Sequence, residues 1–411
     1  MADTPRLPFS LGALIGPGLI VAATGVGAGD LIPAARAGAA HGTTILWAIA
    51  LGAVMKWALS EGLARWQLAT GTTLIEGWAT HLPRWANALF LAFLVLWAFT
   101  VGAALTNSCA LAGQAFFPGM PLTFWGVVHA LAALALAWLG SFRLFEQVMK
   151  AFIAIMFAVV LVCALLLQPP LLQVLSGLFV PRMPKADASL ILALMGGVGG
   201  SVTLLSYGYW LREKGWIGRG VRRLVWLDLT AAYAATALFG IGLAIIASRL
   251  DNPLSGGSNP ALELAAALEQ ALGPVGQWAF LFGFWAAVFS SMVGVWQGVP
   301  YLFADVLASW RLKPGEALAA VSTRSRTYRG FLLFLALAPL VTLWVGRPQA
   351  VVLAYAITGA FFIPYLASTL LYLNNRRSVV KDGRNGWRIN ALLGLTLAFF
   401  GWACWRQLAS L

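Results

Sequence analysis

The chain has 411 residues, of which 60% are hydrophobic and only 10% charged, against roughly 45–50% apolar and about 25% charged in an ordinary soluble domain. That balance excludes a soluble globular protein and a disordered one, and leaves a polytopic α-helical membrane protein. The net charge of +13 does not point to nucleic acid, because the basic residues cluster between apolar runs instead of lining one soluble face.

In chain order, apolar runs bounded by charge, Pro or Gly predict eleven spans: 11–36, 43–64, 86–113, 122–140, 148–168, 189–211, 224–247, 276–308, 330–346, 350–373 and 389–409. A bilayer crossing takes about 20 apolar residues. Arg6 precedes a long apolar segment without a small-residue cleavage site, so the first run is expected to stay as a helix. With the N-terminus in the cytoplasm, only Arg36, Arg182, Lys185, Arg249, Arg347 and Arg406 fall outside, and Lys56 lies within a span. Every other basic residue falls inside, which predicts the cytoplasmic membrane with the N-terminus in and the C-terminus out. Residues 248–275 form the longest outer connection. Its turn-rich stretch Asn252 to Pro260 and amphipathic helix Ala261 to Leu272 read as a cover for the outward vestibule. The basic segment Lys313 to Arg329 reads as lying on anionic lipid headgroups.

Two spans are unusual. The first carries Gly16-Pro17-Gly18 and then Gly25-Val26-Gly27-Ala28-Gly29-Asp30 before Pro33; the sixth carries Gly196-Gly197-Val198-Gly199-Gly200-Ser201-Val202-Thr203. Glycine lowers the cost of leaving helical geometry, and unwound backbone at membrane depth survives only where protein or a water-filled cavity satisfies it. Broken spans at corresponding places in two halves mark the substrate site of an inverted-repeat transporter. The repeats are expected at 1–170 and 186–375, with an additional helix at 386–411. Close helix packing through small residues is the alternative, and Asp30, Ser201 and Thr203 beside the glycines favour the site.

Cys109, Cys163 and Cys404 lie in apolar runs at no metal-ligand or redox spacing and read as buried apolar residues. His41, His81 and His129 are too scattered for a ligand set, and no nucleophile–base spacing is present, so an enzyme is not expected. His129, within span 4, reads as a packing residue. Glu61, Asp228 and Asp305 lie towards span ends. Lys56 is costly in lipid and needs an acid or water. Glu61, off its face, and Asp30, on another helix, are the available acids; a snorkelling head is the other option.

Residues 16–71 resemble the Nramp family of divalent metal transporters. Gly16-Pro17-Gly18 opens span 1, Gly38 and Gly42 follow, Leu46-Trp47 begins span 2, and Ala64-Arg65 with Ala69-Thr70-Gly71 closes it. Gly196 in span 6 and Ile363-Pro364 before Asn374-Asn375-Arg376-Arg377 are also similar. The resemblance implies an all-α integral membrane fold, a LeuT-type 5+5 inverted repeat with discontinuous helices 1 and 6 plus an eleventh helix. The departures fall on the family's functional motifs. Its metal-binding Asp-Pro-Gly-Asn reads Gly27, Ala28, Gly29 and Asp30; its Met-Pro-His-Asn reads Gly200, Ser201, Val202 and Thr203; span 3, Thr100 to Asn107, has none of the family's acids, and Lys56 has no counterpart. Family-type proton coupling is therefore not expected, while Lys56 stands either as a replacement coupling site or as part of a structural ion pair.

The expected binding residues are Gly27, Gly29, Asp30, Gly199, Gly200, Ser201 and Thr203, with Asp30, the Gly27 and Gly200 carbonyls and Thr203 as metal ligands. An all-oxygen set suits Mg²⁺ or Mn²⁺, and Mg²⁺ keeps several waters on few carboxylates. The divalent cation would be cargo, with no cofactor, and lipid the other partner. The alternative cargo is a small organic or anionic, amino-acid-like solute held on half-helix N-termini, walled by Tyr207, Tyr209, Trp210, Trp285, Trp296 and Tyr355.

Overall fold

The computed structural model describes residues 16–182, 188–249, 260–310, 321–345 and 347–409. Arg6, Lys185, Lys313 and the stretch 252–259 lie outside the described residues. Among the described residues helices account for the regular structure, as a lipid environment requires of a chain that must bond its own backbone.

Span 1 is split into α1 (Pro17–Gly25) and α2 (Ala28–His41), and α3 (Leu46–Thr70) is span 2. A short helix, α4 (Leu74–His81), follows; Thr73 caps it by accepting from the Glu76 N–H at 3.1 Å, the arrangement a Thr-x-x-Glu start favours. Spans 3, 4 and 5 are α5 (Arg84–Phe116), α6 (Leu122–Leu139) and α7 (Phe142–Leu166), followed by the short α8 (Leu171–Phe179). Span 6 is split into α9 (Ala188–Gly197) and α10 (Ser206–Glu213), joined through a 3₁₀ turn at Val202–Leu205. Span 7 is α11 (Arg222–Ala247).

The amphipathic segment expected at Ala261 to Leu272 is helical and is divided from span 8 at Gly273, whose non-helical φ of +75° and ψ of −174° break α12 (Pro260–Ser309) into two helices; Gly adopts such a φ without the clash other residues meet. Spans 9, 10 and 11 are α13 (Arg326–Leu337) with a 3₁₀ extension to Trp344, α14 (Pro348–Leu373) and, after the short α15 (Arg377–Val380), α16 (Trp387–Ala409). Among the described residues ten stretches are long and apolar enough to cross a membrane, the first of them, Asp30–Thr70, containing both α2 and α3.

The broken elements are central. α1 packs on α11 and α12, α2 on α11 and α9, and α9 on α14 and α3. Pro17 to Gly25 is buried on nearly every side, so α1 shows no apolar stripe; it is surrounded by protein. Leu89, Leu96, Leu165, Leu172, Trp344 and Trp405 are exposed on the outer helices, forming the apolar surface that a bilayer covers.

Candidate functional site

In span 1 the helical bonding ends with Val26 N–H on the Ala22 carbonyl, and the chain restarts at Gly27, whose carbonyl accepts from Asp30 N–H (3.1 Å) and Leu31 N–H (3.0 Å). Gly27 is thus the N-cap of α2 and Asp30 lies in its first turn, where a carboxylate meets the positive end of the helix dipole. Gly29 lies in the same turn. In span 6, Gly199 and Gly200 take φ +71° and +81°, left-handed values that would cost another residue about 1–2 kcal/mol. The two breaks touch. A Cβ on Gly25 would lie 2.6 Å from Gly200 N and 2.7 Å from Gly199 O.

This contact carries the charges of the site. Asp30 is 3% exposed, and its Oδ2 accepts from Gly199 N–H at 3.2 Å, while Oδ1 has no partner among the described residues. The side-chain oxygens of Ser201 and Thr203 are likewise buried and unpartnered. Buried polar atoms without partners are uncommon in native proteins, and these adjoin one junction. Ser201 faces Gly359 of α14, where a Cβ would lie 2.7 Å from its Oγ, and Gly200 is closest to Thr203.

Lys56 is fully buried. Its Nζ donates to the Gly196 carbonyl at 2.8 Å and to the Gly200 carbonyl, so the ammonium sits at the negative C-terminal end of α9. It interacts electrostatically with Asp30. Glu61 instead pairs with Arg65 on its own helix. Lys56 is therefore neither a snorkelling head nor a partner of Glu61. The Gly200 carbonyl expected to be open to cargo is met by this ammonium, and the Gly27 carbonyl by the first turn of α2.

Four of the six aromatic residues expected around an organic cargo are engaged elsewhere. Tyr207 OH donates to Asp228 at 3.0 Å, Tyr209 OH to Asp305, and Trp210 Nε1 to Gln297 Oε1 at 2.5 Å. Trp285 Nε1 donates to His129 Nε2 at 2.8 Å, while His129 Nδ1 bonds the Trp125 carbonyl at 2.7 Å; the ring is a packed, satisfied link between helices. Trp296 is buried, and Tyr355 lies near Trp97, with ring centroids 6.1 Å apart.

Sequence reasoning left Asp228 and Asp305 without roles. Asp228 Oδ2 accepts from Gly18 N–H at 2.7 Å as well as from Tyr207, capping α1 from α11 and joining both to α10. Asp305 joins α12 to Thr73 (2.7 Å) and Tyr209. At the same end of the molecule Arg212 pairs with Glu76 (2.9 Å), Lys214 with Glu146 (2.6 Å), and Tyr301 OH bonds Glu213 (2.8 Å). The signal was available in the rarity of acids within apolar runs. A cavity of about 620 Å³ opens at this end between the α6–α7 corner, Glu213, Gln297 and Arg329; none of the residues at the glycine junction lines it. Among the described residues no three His, Cys, Asp or Glu side chains form a metal-binding group.

The family model described as Natural resistance-associated macrophage protein-like matches residues 18–409. The divalent metal cation transporter MntH of Erwinia tasmaniensis is 27% identical over 372 residues, covering 82% of this chain and 86% of its own. Among solved structures, the manganese transporter of Eremococcus coleocola superposes with a TM-score of 0.79 at 16% identity, covering 100% of this chain and 89% of its own. Mhp1, a nucleobase-cation-symport-1 family transporter, does so with a TM-score of 0.60 at 15% identity, covering 96% and 93%. The architecture is thus the LeuT-type inverted repeat with helices 1 and 6 discontinuous and an eleventh helix added. A match that runs almost from end to end, on a fold shared at full length, places the chain in the Nramp family of membrane transporters and not among enzymes.

Proposed function

We propose that the protein is a secondary transporter that moves a hard divalent cation, Mg²⁺ or Mn²⁺, across the cytoplasmic membrane by alternating access, without the family's proton coupling. The observation that carries this reading is the junction of the two breaks, where the free oxygen of Asp30 and the unpartnered hydroxyls of Ser201 and Thr203 adjoin backbone packed too closely for a large solute. One carboxylate with neutral oxygens and retained water suits these ions; soft or nitrogen ligands are absent from the set. The relatives named as divalent metal cation and manganese transporters support the same cargo. The distribution of basic loops supports an N-terminus inside and a C-terminus outside. The repeats are assigned to 1–170 and 186–375, with 386–411 added, one bundle rocking against the other.

Uptake of Mn²⁺ and Mg²⁺ into proteoliposomes tests this. Saturable flux in the intact protein and none in Asp30→Ala is expected; equal flux in both would overturn it. A second reading, a small organic or anionic solute, is favoured by Lys56, whose ammonium is already seated on the Gly200 carbonyl next to the residue that bonds Asp30. Thermal stabilisation by an amino acid or organic anion, with none by either metal, would select it.

A further inference from the structure

We propose that Lys56 is a built-in cation that occupies the cargo site and exchanges places with the transported ion, so that the carrier can close and return without cargo. This rests on the cation reading above and adds what the site does between loads.

The argument begins with the carbonyls. Where span 6 unwinds, Gly196 and Gly200 present oxygens that have left the regular helical ladder, and the Lys56 ammonium accepts this role of neutralising them, at 2.8 Å for Gly196 and in contact with Gly200. Carbonyl oxygens at a half-helix C-terminus are cation ligands in chemistry and in dipole direction. The ammonium approaches from α3, a helix that packs on α9 and α11. Its four-carbon stem is flexible, and the Lys56 Cβ is close to the Gly199 position, 3.7 Å from where a Cβ there would stand.

Charge then decides what happens when cargo arrives. Asp30 accepts from the Gly199 N–H while the Lys56 ammonium donates to the Gly196 and Gly200 carbonyls, so a carboxyl and an ammonium are held on the same short unwound stretch of span 6. A divalent ion entering with the ammonium in place would leave the buried site with excess positive charge, in surroundings that screen it poorly. The ammonium must withdraw from the Gly200 carbonyl for Asp30, Ser201 and Thr203 to converge on the ion. After release it returns, the carbonyls and Asp30 are again compensated, and the two breaks can close on one another. A carrier lacking the tether would have to reorient with an uncompensated carboxylate and bare carbonyls, which buried sites resist.

The test uses the full chain with Lys56→Gln, which keeps a hydrogen-bond donor without the charge, and Lys56→Met as a second variant. Mn²⁺ binding to purified protein by calorimetry should tighten by about tenfold, the usual range for coupling between two ligands of one site. In proteoliposomes, net Mn²⁺ uptake into empty vesicles should slow by about tenfold while exchange of external against internal Mn²⁺ is retained. A merely structural lysine would lower both modes together and leave binding unchanged or weaker, and that result overturns the proposal. Amide hydrogen exchange of residues 196–205 without metal supplies an arm that does not depend on the cargo. Faster exchange in both variants supports the tether, and unchanged exchange overturns it. Should the intact protein carry neither Mn²⁺ nor Mg²⁺, the cation reading fails; the exchange-protection result then decides by itself whether the ammonium holds the break closed.

Discussion

Asp228 accepts from a backbone N–H of α1 and a phenol of α10 with one oxygen, and both donors lie on elements that must move if the site is to open at that end. Hydrogen bonds to a charged group contribute roughly 1.5–3 kcal/mol, neutral ones about 1 kcal/mol. Tyr207→Phe, which removes a bond to the carboxylate, should therefore lower stability by about 1.5–3 kcal/mol, and Asp228→Asn, which weakens both bonds, by at least as much, read as the melting temperature of the purified protein. Both should speed amide exchange across residues 16–25; unchanged exchange in Asp228→Asn would remove the carboxylate from the closure of this end. Residue by residue, the site was unevenly legible in the sequence. Asp30 was legible because a lone acid beside a glycine run in an apolar span has few bland explanations. The partners of Lys56 were not, since Gly196 and Gly200 stand 140 and 144 residues away and no helical spacing relates them. Tyr207 and Tyr209 were visible as aromatics, but nothing local says that their hydroxyls turn to Asp228 and Asp305 rather than to cargo.

The broken helices show the opposite case at the scale of elements, because the glycines that permit a break also mark it. The unwound residues of span 1 are Val26 and Gly27, inside the expected run, and those of span 6 begin after Gly197. What the pattern could not supply was how tightly the two breaks approach. At Gly199 a side chain would meet two obstacles, the left-handed backbone and the Tyr233 ring, whose Cε1 lies 2.7 Å from the Cβ position. Gly199→Ala should cost about 1–2 kcal/mol from the backbone alone, and the ring clash should push the loss in thermal stability beyond that. A variant as stable as the parent would show that the junction can open without cost. The turn at Gly273 is a plainer case. A single Gly followed by Pro274 reads as a helix end and a new start, and the backbone does leave helical geometry at Gly273 before span 8 begins with Pro in its first turn.

At the scale of the whole molecule, several side-chain pairs among the described residues gather at one end. Arg212 with Glu76, Glu146 with Lys150 and Lys214, and Tyr301 with Glu213 hold the end of α10 to α4, α7 and α12. These pairs are partly exposed, so each contributes little alone and more as a group. On the other side Arg36 of α2 bonds Gln349 of α14 at 2.9 Å. Fold class was legible at this scale from composition and span count, since a chain this apolar has few ways to satisfy its backbone; which end is fastened depends on pairings between distant helices and was not.

The balanced pair at the centre has an electrical consequence. Lys56 is attached to the protein and, in the proposed cycle, stands with Asp30 as one ammonium and one carboxylate, so the unloaded site would cross the membrane field with no net charge, while the proposed cargo brings two charges through. One charge moved through 100 mV corresponds to about 2.3 kcal/mol, so a potential of that size, negative inside, would favour uptake by about 4.6 kcal/mol per divalent ion. Mn²⁺ or Mg²⁺ added to reconstituted membranes should therefore produce an inward positive current, and a potassium-diffusion potential should accelerate uptake. A carrier that is electrically silent under the same gradient would instead be moving a compensating ion on each turn, and the voltage of the cell would do nothing to fill it.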